Sequence, residues 1–145
     1  MLENENTALV RRWFEEVWNQ RRLEAIDELL APDAVAHDLG GAGATTRGIA
    51  QFRAAAEMLH TAFGGMHLTV EDIFGVEDRV AIRLNAHLRH TGPLGDLPAT
   101  GREVIAPVMC IIIVRGGKFV EAWNNWDVAS ALRAANAPAT RATIF

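Results

Sequence analysis

The run Arg79-Val80-Ala81-Ile82-Arg83-Leu84-Asn85-Ala86-His87-Leu88-Arg89-His90-Thr91 alternates apolar and polar residues almost without a fault. Successive side chains of an extended strand point to opposite sides. Val80, Ile82, Leu84, Ala86 and Leu88 therefore share one face, and Arg83, Asn85, His87 and Arg89 share the other. Its neighbours extend the pattern. His67 to Phe74 reads as a preceding strand, turned at Gly75 to Asp78. A loop rich in Gly and Pro over 92–102 leads into Glu103 to Val114. That strand is apolar on both faces, so it belongs at the centre of a sheet with cover on each side. Pro107 within it predicts a bulge or a break in the ladder. Gly116-Gly117 makes a tight hairpin turn into Lys118 to Asp127.

Helices occupy the first half. Leu9, Val10, Trp13, Phe14 and Val17 recur at helical spacing, which predicts a helix over 7–19. Leu23, Ile26, Leu29 and Leu30 mark a second, stopped by Pro32. Residues 34–38 read as a short strand before the glycine loop 39–43. Ile49, Phe52, Ala56, Leu59 and Phe63 define one face of a helix over 48–63. A last helix, about 128–135, precedes a polar tail, 136–145. Helices first and a meander after is an α+β order. The expected fold is a cone-shaped α+β barrel: N-terminal helices on a strongly curved, mostly antiparallel sheet that encloses a pocket. It is one domain over 1–145, with its core in about 5–135.

The composition sets limits. The chain has 145 residues, half of them hydrophobic, and a net charge of −4. That length suits one core, and the charge gives no reason to expect nucleic acid. The longest apolar stretch, Ile105 to Val114, is too short to span a bilayer. The acidic start, Met1 to Asn6, does not resemble a signal peptide. The one cysteine, Cys110, lies in the apolar run and has no internal partner for a disulfide. These features point to a cytoplasmic protein. Five histidines are present, but none makes a pair with metal-ligand spacing, and no phosphate loop or reactive Ser or Cys pattern occurs. Neither a metal nor a cofactor is expected.

Several segments together resemble the SnoaL-like polyketide cyclases of the nuclear-transport-factor-like superfamily. They are Trp13-Phe14 with Trp18-Asn19, then Ala31-Pro32-Asp33 with His37-Asp38. The loop from His90-Thr91-Gly92 through Pro98 to Thr100-Gly101 follows. The last is Gly117-Lys118-Phe119-Val120-Glu121-Ala122-Trp123, with Asp127 four residues on. The resemblance implies a cofactor-free enzyme for a small apolar carbonyl substrate, in which Asp127 is acid and base for an intramolecular aldol condensation. A carboxylate in an apolar pocket holds its proton more tightly than in water, which suits it to take a proton beside a carbonyl and return it. As a helix N-cap, Asp127 would have a purely structural role.

The remaining site expectations follow from that carboxylate. Arg83 and Asn85 are candidate catalytic partners, and His37, His87, Trp123 and Asn125 candidate substrate contacts. Phe52 and Met109 supply apolar wall. His37 and Asp38 diverge as strand neighbours, and His37 is preferred as the inward one. The Arg83-to-Arg89 stripe is expected to line either the cavity or a dimer face. Arg83-Leu84-Asn85 with Asp127 also resembles limonene epoxide hydrolase, where the strand carries Arg-x-Asp, so epoxide hydrolysis is the alternative reaction. Asn85 replaces the acid, and the chain has no tyrosine, which argues against that chemistry as it does against ketosteroid isomerase and scytalone dehydratase chemistry. A ligand-binding module without catalysis is the third reading. All three predict a homodimer paired through outer sheet faces.

Overall fold

Asn4 starts the first helix: its side-chain oxygen accepts the Thr7 N–H at 2.8 Å, satisfying a donor that the first turn leaves open. The structure is a computed structural model that describes residues 4–39, 44–126 and 133. Helix α1 (Glu5–Trp13) runs directly into a π-helical segment, Phe14–Asn19. The Gln20 N–H bonds the Glu15 carbonyl at 2.8 Å, five residues back. This wider turn keeps Phe14, Val17 and Trp18 on the buried side with Val10 and Trp13. Helix α2 (Glu24–Leu29) follows. Arg12, Glu16, Arg22 and Glu28 tie these three segments by ion pairs. Hydrogen bonds from Arg22 and Arg12 hold the Glu28 carboxyl below its usual range.

Helix α3 (Gly48–Ala62) buries Phe52, Ala56 and Leu59, the face expected from their spacing. The strands are β1 (Leu30–His37), β2 (Thr45–Arg47), β3 (His67–Val76), β4 (Arg79–Arg89), β5 (Glu103–Arg115) and β6 (Lys118–Asn125). They form one six-stranded sheet in the order β2-β1-β6-β5-β4-β3. All neighbours are antiparallel except β1 and β6, which run parallel. Among the described residues β2 and β3 are the two edges, so the expected α+β fold, helices on a strongly curved sheet, stands, with the sheet curled and not closed. Alternation along β4 holds throughout: Val80, Ile82, Leu84, Ala86 and Leu88 are buried, and Arg83, His87 and Arg89 are exposed.

Two sequence expectations change. β1 begins at Leu30, so Pro32 lies inside the strand instead of ending a helix. Pro107 causes no break, for the β4–β5 register runs evenly through Asn85↔Pro107. The β5–β6 ladder stops at Met109↔Asn125, so a backbone nitrogen turned to that side at Pro107 has no strand to bond among the described residues. The irregularity sits elsewhere: Ile113 pairs with Glu121 but Val114 with Phe119, leaving Val120 as an extra residue in β6. Asp127 lies outside the described residues, as does all of the expected helix 128–135 except Arg133.

The loop 91–102 is held at both ends. Thr91 and Gly92 donate backbone N–H groups to the Ala62 carbonyl at 3.0 and 3.1 Å. A Cβ at Gly92 would lie 2.4 Å from the Thr61 carbonyl oxygen, so no larger residue fits without a backbone shift. Fully buried His90 packs on Phe63 and accepts the Thr100 backbone N–H at Nδ1 over 3.3 Å. Among the described residues, no helix is long and apolar enough to cross a membrane.

Candidate active site

Helices and curled sheet enclose an apolar cavity. Trp13 and Trp18 come from the first helical stretch, Phe52 from α3, and Phe119 and Trp126 from β6 and the residue after it. The aromatic rings pack tilted or edge-on: Trp13 meets Phe52 at 5.1 Å and Phe119 at 5.0 Å, and Trp18 meets Trp126 at 5.8 Å, centroid to centroid. Such tilted contacts suit the ring quadrupoles. The cavity volume is about 40 Å³. That is room for a few water molecules, so any larger ligand has to displace wall side chains.

Polar groups in the wall are few and concentrated on β5 and β6. Cys110 and Asn124 face each other across the two strands. The Cys110 thiol donates to Asn124 Oδ1 at 3.2 Å, and Asn124 Nδ2 donates to the His37 carbonyl at 2.9 Å. Burial pushes the Cys110 thiol up to about 12, so it stays protonated and unreactive near neutral pH. No group of three His, Cys, Asp or Glu side chains that could hold a metal ion occurs among the described residues.

The structure divides the residues singled out in the sequence. Phe52 is in the cavity wall. Arg83, Met109, Trp123 and Asn125 instead line a groove of about 410 Å³ on the opposite, outer face of the sheet. Asn85 is on that outer face too and donates to Glu71 Oε1 at 3.1 Å. His87 lies further along it, beside Arg89 and Ile105. The reason is the alternation itself: the helices cover the apolar face of β4, which leaves its polar stripe outside. His37 Nε2 meets Glu121 Oε2 at 2.7 Å, and its ring stacks on Trp123 at 5.4 Å with 18° between planes. Asp38 is exposed with φ 57°. So Arg83, Asn85, His87, Met109, Trp123 and Asn125 do not gather round the cavity, and His37, expected to face inward, instead stacks on outward-facing Trp123, which is its register partner on β6. Asn124 and Cys110 do, although the sequence pattern points to neither of them as a site residue, nor to Glu121, which holds His37.

The family follows from comparison with known proteins. The model of the SnoaL-like polyketide cyclase family matches residues 8–135. The chain belongs to the SnoaL-like polyketide cyclase family. Solved structures agree with this SnoaL-like fold. IdmH from Streptomyces antibioticus, a proposed polyketide cyclase, is 28% identical, with 92% of this chain and 100% of that one covered and a TM-score of 0.78. AclR from Streptomyces galilaeus, a proposed hydroxylase, is 26% identical over 94% of this chain and 84% of its own, TM-score 0.77. A proposed SnoaL-like polyketide cyclase from Jannaschia sp. CCS1 shares the fold at 23% identity, covering 94% and 95% of the two chains with a TM-score of 0.82. No curated protein matches the chain. This SnoaL-like domain therefore shares its family with proteins named for cyclisation and its fold with one named for hydroxylation.

Proposed function

We propose that this SnoaL-like protein closes a ring in a polyketone by intramolecular aldol condensation, with Asp127 as general acid and base. The observation that carries the reading is Trp126: its indole is buried in the cavity wall, and Asp127 is the next residue. The step needs no oxidant or cofactor. A carboxylate takes a proton from the carbon between two carbonyls. The resulting enolate carbon attacks a third carbonyl in the same chain and forms the C–C bond, and the new alkoxide takes the proton back. An apolar aromatic wall keeps water from quenching the enolate. The product is an isomer of the substrate, or that isomer less one water if it dehydrates.

The test is incubation with synthetic poly-β-keto esters, followed by chromatography and mass spectrometry. A cyclised product of unchanged mass, or lighter by one water, is expected to form faster than in buffer. No acceleration across a series of chain lengths would sink the proposal. Epoxide hydrolysis through Arg83 and Asn85 has less support, since both side chains stand on the outer face.

The same outer face supports the homodimer. Phe74, Ile105, Met109 and Ile111 are 60%, 62%, 57% and 46% exposed on it, apolar side chains of the kind that a partner surface covers. Asp72 and Arg83 are cross-strand partners there. A two-fold axis over them would set each against its opposite charge in the second copy. Sedimentation at micromolar concentration is expected to give a dimer, and Met109→Asp or Ile111→Asp a monomer that keeps its fold. A wild-type monomer would overturn the assignment.

A further inference from the structure

Asn124 is the polar side chain most tightly fixed in the cavity wall. Its amide orientation follows from chemistry alone. The His37 carbonyl, 2.9 Å away, can only accept, so the group facing it must be the NH2. The Oδ1 atom is then left toward Cys110 Sγ at 3.2 Å, and with no hydrogen on Oδ1 the thiol must donate. The protonated state of Cys110, buried among apolar neighbours, agrees with that role. Asn124 is therefore held from both ends of its amide. Its nitrogen carries two hydrogens and His37 takes one.

We infer that the second N–H of Asn124 is a hydrogen-bond donor for an oxygen of a bound ligand, with Cys110 as the positioning residue that holds the amide in that orientation. The inference rests on the enolate reading above. Negative charge grows on a carbonyl oxygen as the enolate forms, and a donor fixed before the reaction stabilises it without reorganising. The substrate class this selects is a ketone or enolisable diketone that enters oxygen-first toward β6. A rigid amide suits this better than a charged donor would, because a neutral N–H costs less to bury beside aromatic rings when unoccupied.

Ligand-observed 19F NMR tests this without a known substrate. The probes are 4-fluorophenol and fluorobenzene, which differ by one oxygen. Wild type is expected to bind the phenol roughly tenfold more tightly than fluorobenzene, about the worth of one hydrogen bond. Asn124→Ala and Cys110→Ala are each expected to bring that ratio to within about twofold while fluorobenzene affinity holds. Cys110→Ser, which still donates, is expected to retain it. A ratio unchanged in both alanine variants overturns the role of Asn124 and leaves the cyclase reading standing. No binding of either probe to wild type overturns the cavity as a ligand site, and both readings with it.

Discussion

Asp127→Asn is expected to lower the rate of polyketone cyclisation by about 10²–10⁴-fold, the usual worth of a positioned general acid and base. Asparagine matches aspartate in shape but cannot accept the α-proton, so the loss should fall on kcat. KM should move little, because on this reading the aromatic wall of Trp13, Trp18, Phe52 and Trp126, and not the carboxylate, makes most of the substrate contact. Steady-state kinetics on the cyclising keto ester checks this, with thermal melting as a control. A variant that melts with wild type and turns over at wild-type rate would show that Asp127 takes no part in proton transfer. A variant that loses several degrees and only a few-fold in rate would point to the structural role open to an N-cap residue.

Trp18→Ala is expected to destabilise the fold by about 3–5 kcal/mol, the range for a buried large aromatic truncated to alanine. Trp18 is 2% exposed and its ring centroid lies 5.4 Å from His60, 5.8 Å from Trp126 and 6.2 Å from Phe52. Removing it leaves a hole among helices and sheet that no single neighbour can fill. Against a total stability of about 5–15 kcal/mol, this is a large share. For a chain of this length it corresponds to a fall in Tm of roughly 10–20 °C. Calorimetry measures it directly. Trp18→Phe should recover much of the loss, since a smaller ring still occupies the centre of the contact. A fall of under 3 °C for the alanine variant would mean that the wall collapses freely around the gap.

The alternation in Arg79 to Thr91 made the meander legible, because a period of two along that run allows only a strand with one buried face. Helix α3 was equally plain from Ile49, Phe52, Ala56 and Leu59. The part of the cavity wall that β6 supplies was harder to read, and there the cause is a single residue. From the Gly116-Gly117 turn, an even hairpin would set Trp123 opposite Cys110 and Asn125 opposite Val108, both facing inward. The extra residue Val120 shifts the pairing to Ile111↔Trp123 and Cys110↔Asn124. A one-residue shift exchanges the faces of a strand, so Asn124 enters and Asn125 leaves. No glycine or proline marks that bulge. The parallel contact of β1 with β6 was hidden for another reason. It joins segments far apart in the chain, and local periodicity carries no information about partners. The π-helical turn at Phe14–Asn19 was concealed by spacing that an ordinary α-helix would also satisfy.

That parallel pair constrains how the chain can fold during synthesis. β1 is among the first segments to leave the ribosome, yet it bonds Phe119 through Leu30 and Trp123 through His37. Some ninety residues must follow before its central neighbour exists. Until then β1 has only the three-residue β2 beside it, and its apolar residues Ala34 and Ala36 must wait with α1 and α3 in a partly formed state. Closure of such a long loop comes late and slowly. The waiting intermediate, with an unpaired strand edge and half a core, is the species most exposed to aggregation. Soluble yield from rapid expression should thus respond to growth temperature more steeply than the stability of the finished domain would suggest.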